Sequence, residues 1–176
     1  MEKIVEIQNG IDAKLEGFSV SFKGEKGTLQ RDFGSSLYNK NLKMEMKDNK
    51  IIISTESKKR TFKAMVGTIA SHIRNMMKGV REGYTYKLKT VYMHFPFTVK
   101  VEGTNVIVTN FLGEKSIRKA KILGDTKVEI KGDIISVIGT NKEFVGQTAL
   151  NIENATFVPS RDRRIFQDGI FLISSD

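Results

Sequence analysis

The chain offers two histidines, His72 and His94, and no cysteine. Acid–base or metal chemistry needs such groups clustered with carboxylates, and neither an HExxH spacing nor a histidine–carboxylate cluster is written here. His72 lies beside Ile73 in a helical pattern, so both histidines read as structural or surface groups. No GxSxG elbow supplies a serine nucleophile. The segment LGEKS, Leu112 to Ser116, comes close to the end of a phosphate-binding loop, but Glu114 separates Gly113 from Lys115 where the motif needs Gly-Lys-Ser/Thr contiguous. No catalytic residue, metal ligand or cofactor is therefore expected.

The chemistry that remains is cationic. Lys and Arg number 29 against 20 Asp and Glu, a net charge of +9. Such an excess favours a polyanionic partner, nucleic acid before an anionic membrane surface. Three clusters stand out. Lys58, Lys59, Arg60 and Lys63 open a helical stretch, where positive charge opposes the helix dipole. Lys115, Arg118, Lys119 and Lys121 follow, read as a loop between strand units. The corresponding loop in the first half, GSSLYNKN, offers only Lys40. The third is SRDRRIFQDG, with Arg161, Arg163 and Arg164, which can grip phosphate bidentately and stack on bases. Lys87 and Lys89 alternate with Tyr86, Leu88 and Thr90 on an expected strand.

These residues need a scaffold, and the chain writes one twice. VGTIASHIRN, from Val66, and VGQTALNIEN, from Val145, share five identities at an offset of 79 positions. At the same offset FSVSFKG, from Phe18, lies over FTVKVEG, from Phe97, each with the period-two alternation of a half-buried strand. LKMEMKDNKIII, from Leu42, matches TKVEIKGDII, from Thr126, as strand, tight turn and strand, with Asp48–Asn49 and Gly132–Asp133 at the turns. Three windows in one order imply a tandem duplication. Phe62, Val66, Ile69, Ala70 and Ile73 follow helical spacing, as do Val145, Thr148, Ala149 and Ile152. Gly67 and Gly146 inside these helices suggest a close helix–sheet approach that a Cβ would obstruct.

The expected fold class is thus α+β: two tandem copies of a small antiparallel-sheet-plus-helix module, residues 1–82 and 83–176, the second with a basic C-terminal tail. The boundary falls at Gly79 to Gly83, where glycines stop the first helix. The first module carries +6 and the second +3, yet clustered charge reaches a groove better than dispersed charge, so the second is expected to bind more strongly. After Pro159 the tail is expected to run extended, pinned by Ile165, Phe166 and Ile170, with a turn at Asp168–Gly169. Its arginines then face solvent, acids or RNA. No stretch approaches the length of a membrane span, and a cytoplasmic home fits the missing cysteine.

FLGEKSIRKAKI (Phe111 to Ile122), YMHFPFTVKVEG (Tyr92 to Gly103) and DRRIFQDGIFL (Asp162 to Leu172) resemble the L-six family of large-subunit ribosomal proteins, in its archaeal and eukaryotic branch. The resemblance covers the whole chain. It implies two copies of one α+β fold and a structural, non-enzymatic role in the large ribosomal subunit. It further implies binding of 23S-type rRNA, chiefly through the second module, near the sarcin–ricin loop and the GTPase-associated region. Neighbouring ribosomal proteins at the stalk base and, indirectly, translational GTPases would be partners; no membrane would. The family's characteristic tail maps onto Arg163, Arg164, Phe166, Asp168 and Gly169, so Asp168 and Gly169 join the expected rRNA-binding set. Phe171 departs from the usual tyrosine, which puts any hydrogen bond from that ring in question. The rival classes are a free-standing RNA-binding regulator and a nucleic-acid-processing enzyme, the latter needing a catalytic constellation.

Overall fold

The computed structural model describes residues 1–8, 10–34, 41–47 and 49–175. Lys40 and Asp48, singled out above, lie outside the described residues. The chain divides into two units, Met1–Gly83 and Tyr84–Asp176.

In the first unit the strands are β1 (Glu2–Glu6), β2 (Asp12–Glu16), β3 (Ser19–Gly24), β4 (Gly27–Asp32), β5 (Leu42–Lys47) and β6 (Lys50–Thr55), followed by helix α1 (Arg60–Arg81). They form two antiparallel sheets, ordered β1-β6-β5 and β2-β3-β4. Alternation puts Val20 and Phe22 of β3, and Ile51 and Ile53 of β6, at zero exposure. The apolar stripe of α1 (Val66, Ile69, Ala70 and Ile73) closes over them. Each such side chain contributes about 1.5–3 kcal/mol by leaving water. The helix runs through Gly79 and stops at Gly83, whose φ of +79° suits only glycine well and whose N–H bonds to Gly79 O at 3.0 Å.

The second unit repeats this order. It comprises β7 (Tyr84–Val91), β8 (Thr98–Glu102), β9 (Asn105–Thr109), a 3₁₀ turn at Phe111–Gly113, β10 (Arg118–Lys121), β11 (Lys127–Lys131), β12 (Ile134–Gly139), α2 (Lys142–Ala155) and β13 (Gly169–Ser175). The sheets are β10-β9-β8 and β11-β12-β7-β13, all antiparallel. Val145, Thr148, Ala149 and Ile152 of α2 are buried against them. Asn141 caps this helix, its side chain accepting from Glu143 N at 3.0 Å. The fold is therefore α+β with a duplicated module, and β13 is an addition of the second copy.

The topology corrects three sequence readings. Ser19–Gly24 is β3, the middle strand of its sheet, whereas Thr98–Glu102 is β8, an edge strand. The counterpart of β8 is β2, so Leu15-Glu16-Gly17 corresponds to Val101-Glu102-Gly103. Period-two alternation is common to every half-buried strand and could not distinguish them. Secondly, Arg118–Lys121 is strand β10, the counterpart of β4, and not a loop matching residues 34–41. Only Lys115 sits in the loop before it. Thirdly, a Cβ on Gly67 would meet nothing closer than Lys3 Nζ at 3.7 Å, and one on Gly146 nothing closer than Tyr86 at 3.7 Å, both ordinary contacts. The close helix–sheet approach is at Gly24, where a Cβ would lie 2.6 Å from the Val80 carbonyl oxygen.

Candidate nucleic-acid interface

The tail between α2 and β13 is folded rather than extended. The helix ends at Thr156, ahead of Pro159, because the Thr156 hydroxyl donates to Glu153 O at 3.1 Å and accepts from Ile170 N at 2.9 Å. Ser160 takes a left-handed φ of +63°, and Ile165 N and Phe166 N both return to Asp162 O. The turn this makes presents Arg161, Arg163 and Arg164 at the surface. Arg164 pairs with Asp162 at 2.8 Å, and Arg163 reaches back to Glu153 on α2 at 2.5 Å. Arg163 also lies 5.0 Å over the Phe171 ring, a contact that needs no tyrosine hydroxyl. Arg161 stands over Phe166 at 5.8 Å.

Of the expected pins, Ile170 is fully buried, Phe166 is half-buried and Ile165 is 83% exposed. The stronger anchor is Asp168. Its carboxylate accepts from the Met93 N–H and, at 2.5 Å, from His94 Nδ1. His94 then stacks on Phe166 with ring centroids 4.9 Å apart. Burial pushes the Asp168 carboxyl up, but the Met93 and His94 hydrogen bonds outweigh it and hold it below the usual carboxylate range. With its side chain 1% exposed, Asp168 positions the tail and cannot itself touch a large ligand. Gly169 opens β13 at φ +154° and is buried, so Asp168–Gly169 is a strand entry and not a turn.

The second cluster separates into two kinds of residue. Arg118 is drawn inward: it bonds Glu114 at 2.6 Å and the α2-end carbonyls of Ala155 and Phe157 at 3.1 and 3.2 Å. It also covers the Phe111 ring at 4.6 Å. Its hydrogen bond holds the Glu114 carboxyl below its ordinary range. The guanidinium is thus a cap for the end of α2 and not an open phosphate ligand. Lys119 and Lys121 alternate with buried Ala120 and stand outward on β10, with Lys115 exposed in the loop before them. Lys87 and Lys89 face outward on β7, the side away from buried Leu88. Register sets Lys131, Ile134, Lys89 and Phe171 in one row across four strands, so the face is continued by Lys131, and the Arg163–Phe171 contact links it to the tail.

Sequence reasoning missed the β7–β8 connection as part of this surface. Tyr92, Met93 and Phe95 are about half exposed or more, beside His94 and Phe166. Its signal was available: YMHFPF breaks the alternation of β7 with Tyr92 and Phe95, aromatic residues that no period buries. Together the parts offer guanidinium and ammonium groups beside exposed rings, the pairing that grips phosphates and stacks on bases. In the first unit, Lys58, Lys59, Arg60 and Lys63 are exposed where α1 begins, with no acidic residue in its first turn.

Fold and surface together define a duplicated α+β protein with a basic, aromatic-edged face on its second copy. The family model described as ribosomal protein L6 matches residues 7–83 and 95–169, one match per copy. A large ribosomal subunit protein uL6 from Staphylothermus marinus is 50% identical over 96% of this chain and 91% of its own length. Its namesake from Methanosarcina mazei is 46% identical over 97% of this chain and 95% of its own. Another, from Aeropyrum pernix, is 45% identical over 96% and 91%. The chain belongs to the ribosomal protein L6 family, whose members are structural proteins of the large ribosomal subunit and not enzymes.

Proposed function

We infer that the chain binds large-subunit, 23S-type rRNA through its second unit, near the sarcin–ricin loop and the GTPase-associated region, and works in the cytoplasm as part of the ribosome. The observation that carries the reading is the surface on which Arg161, Arg163 and Arg164, Lys87 and Lys89, and exposed Tyr92 and Phe95 converge around the Asp168 anchor. Lys115, Lys119 and Lys121 supply further phosphate contacts from β10. Gly169 and Asp168 act by holding the tail, and Arg118 by holding the end of α2. Contacts of this kind read RNA shape more than sequence. Neighbouring proteins at the stalk base and translational GTPases would then be affected through the RNA. Among the described residues no helix is long and apolar enough to cross a membrane. Chemical footprinting of large-subunit particles with and without the protein tests the reading. Protection is expected at the sarcin–ricin stem and stalk base, and unchanged reactivity there would overturn it.

A further inference from the structure

The duplication shows what the first unit lacks. In the second unit β13 lies along β7, pairing Gly169, Ile170, Phe171 and Leu172 with Val91, Thr90, Lys89 and Leu88. Val5 and Leu88 correspond, because each faces the first buried isoleucine of the inner strand, Ile51 or Ile135. The positions that β13 covers therefore correspond to Val5, Glu6, Ile7 and Gln8. In the first unit β1 ends its sheet, and among the described residues no strand pairs with its outer side. Instead a groove runs there, with Val5, Glu6 and Gln8 on one wall and Arg74, Met77 and Lys78 of α1 on the other. Met1 exchanges both backbone hydrogen bonds with Thr55, and Ile7 N donates to Asn49 O. By the alternation of an antiparallel ladder, the N–H and C=O groups of Ile4 and Glu6 point into this groove.

We propose that the groove beside β1 receives an extended, acidic segment of another polypeptide, added as an antiparallel strand just as β13 is added to β7. Unsatisfied strand edges recruit peptide backbone, not nucleic acid. The preference for acid comes from a charge reversal between the copies. Counting from the shared Val66–Gly67 and Val145–Gly146 pairs, Glu153 of α2 corresponds to Arg74 of α1. Glu153 holds Arg163 of the incoming tail at 2.5 Å. Arg74, exposed at the same place, calls for a carboxylate on the incoming strand. Buried Met77, standing where Thr156 receives Ile170, offers an apolar seat for one side chain. The inference rests on the family reading only for the source of the strand, another ribosomal protein.

The test uses the full chain and two synthetic peptides. One carries residues 161–175 with the three arginines replaced by glutamate, and the other carries the native sequence. Peptide affinity is read by fluorescence anisotropy and backbone protection by amide hydrogen exchange. The acidic peptide should bind about twofold to fivefold more tightly, the scale of one exposed charge pair, and should slow exchange at Ile4 and Glu6. Arg74→Glu should reverse the preference. Ile4→Pro removes an outward donor without touching the β6 ladder, so it should abolish binding while the melting temperature holds. Binding without protection at Ile4 and Glu6, no binding at millimolar peptide, protection by an rRNA fragment, or protection by the bare chain as its concentration rises would each overturn the proposal. Its failure would leave the rRNA footprint of the second unit unaffected.

Discussion

Charged residues in one cluster have different fates according to what lies within their reach. Arg118 and Lys119 are adjacent, yet the first caps α2 and the second stands in solvent. Arg118→Ala should lower stability by about 1–3 kcal/mol, the usual cost of stranding carbonyls that a charged donor served, measured by urea unfolding. Arg164→Ala, at an 88% exposed side chain, should leave stability within about 0.5 kcal/mol and weaken RNA binding. Asp168 adds a pH dependence with a definite sign. Its folded pKa is depressed, so its contribution is present above the unfolded pKa of about 3.9 and is lost as pH falls through the lower folded value. Asp168→Asn should therefore destabilise the protein at pH 7, and the gap to wild type should narrow in melts taken progressively below pH 4. The sequence placed these residues in the right segments but could not assign their roles. Arg118 finds its carbonyl partners 37 and 39 positions away, and Arg163 finds Glu153 across a turn that Pro159 alone does not foretell.

Helices were legible because a 3.6-residue period sustained over 22 residues of α1, or 14 of α2, fixes which face is buried. The hairpins β5–β6 and β11–β12 were legible because turn residues and flanking strands match together. The upstream strand window failed because alternation alone carries no identity. The paired glycines mark another limit, since a repeated glycine invites a packing explanation that the geometry does not bear out. Gly67 has room for a methyl group and a helical backbone, so Gly67→Ala should stabilise the first unit by about 0.5–1 kcal/mol. Gly24→Ala should do the opposite, because its Cβ would strike the Val80 carbonyl. Thermal melts of the two variants should shift in opposite directions, and a destabilising Gly67→Ala would restore the packing explanation.

At the scale of the whole molecule, duplication supplied two copies of one module, and each copy changed at its margins. The second carries β13, the folded tail and the outward lysines of β10, while the first has, among the described residues, an open strand edge, and it has the larger net charge. Placement, not total charge, is what the account makes decisive. Neutralising Lys58, Lys59 and Lys63 should cost less RNA affinity than neutralising as many cations on the second unit. The most direct measurement is the salt dependence of binding to an rRNA fragment spanning the sarcin–ricin stem, for the full chain and for Lys119→Gln/Lys121→Gln/Arg164→Gln. Each lost phosphate contact should make the slope of log K against log salt shallower by about 0.7–0.9. The account predicts a slope shallower by about 2–3 units in the triple variant, with an unchanged melting temperature. An unchanged slope and affinity in a folded triple variant would contradict it.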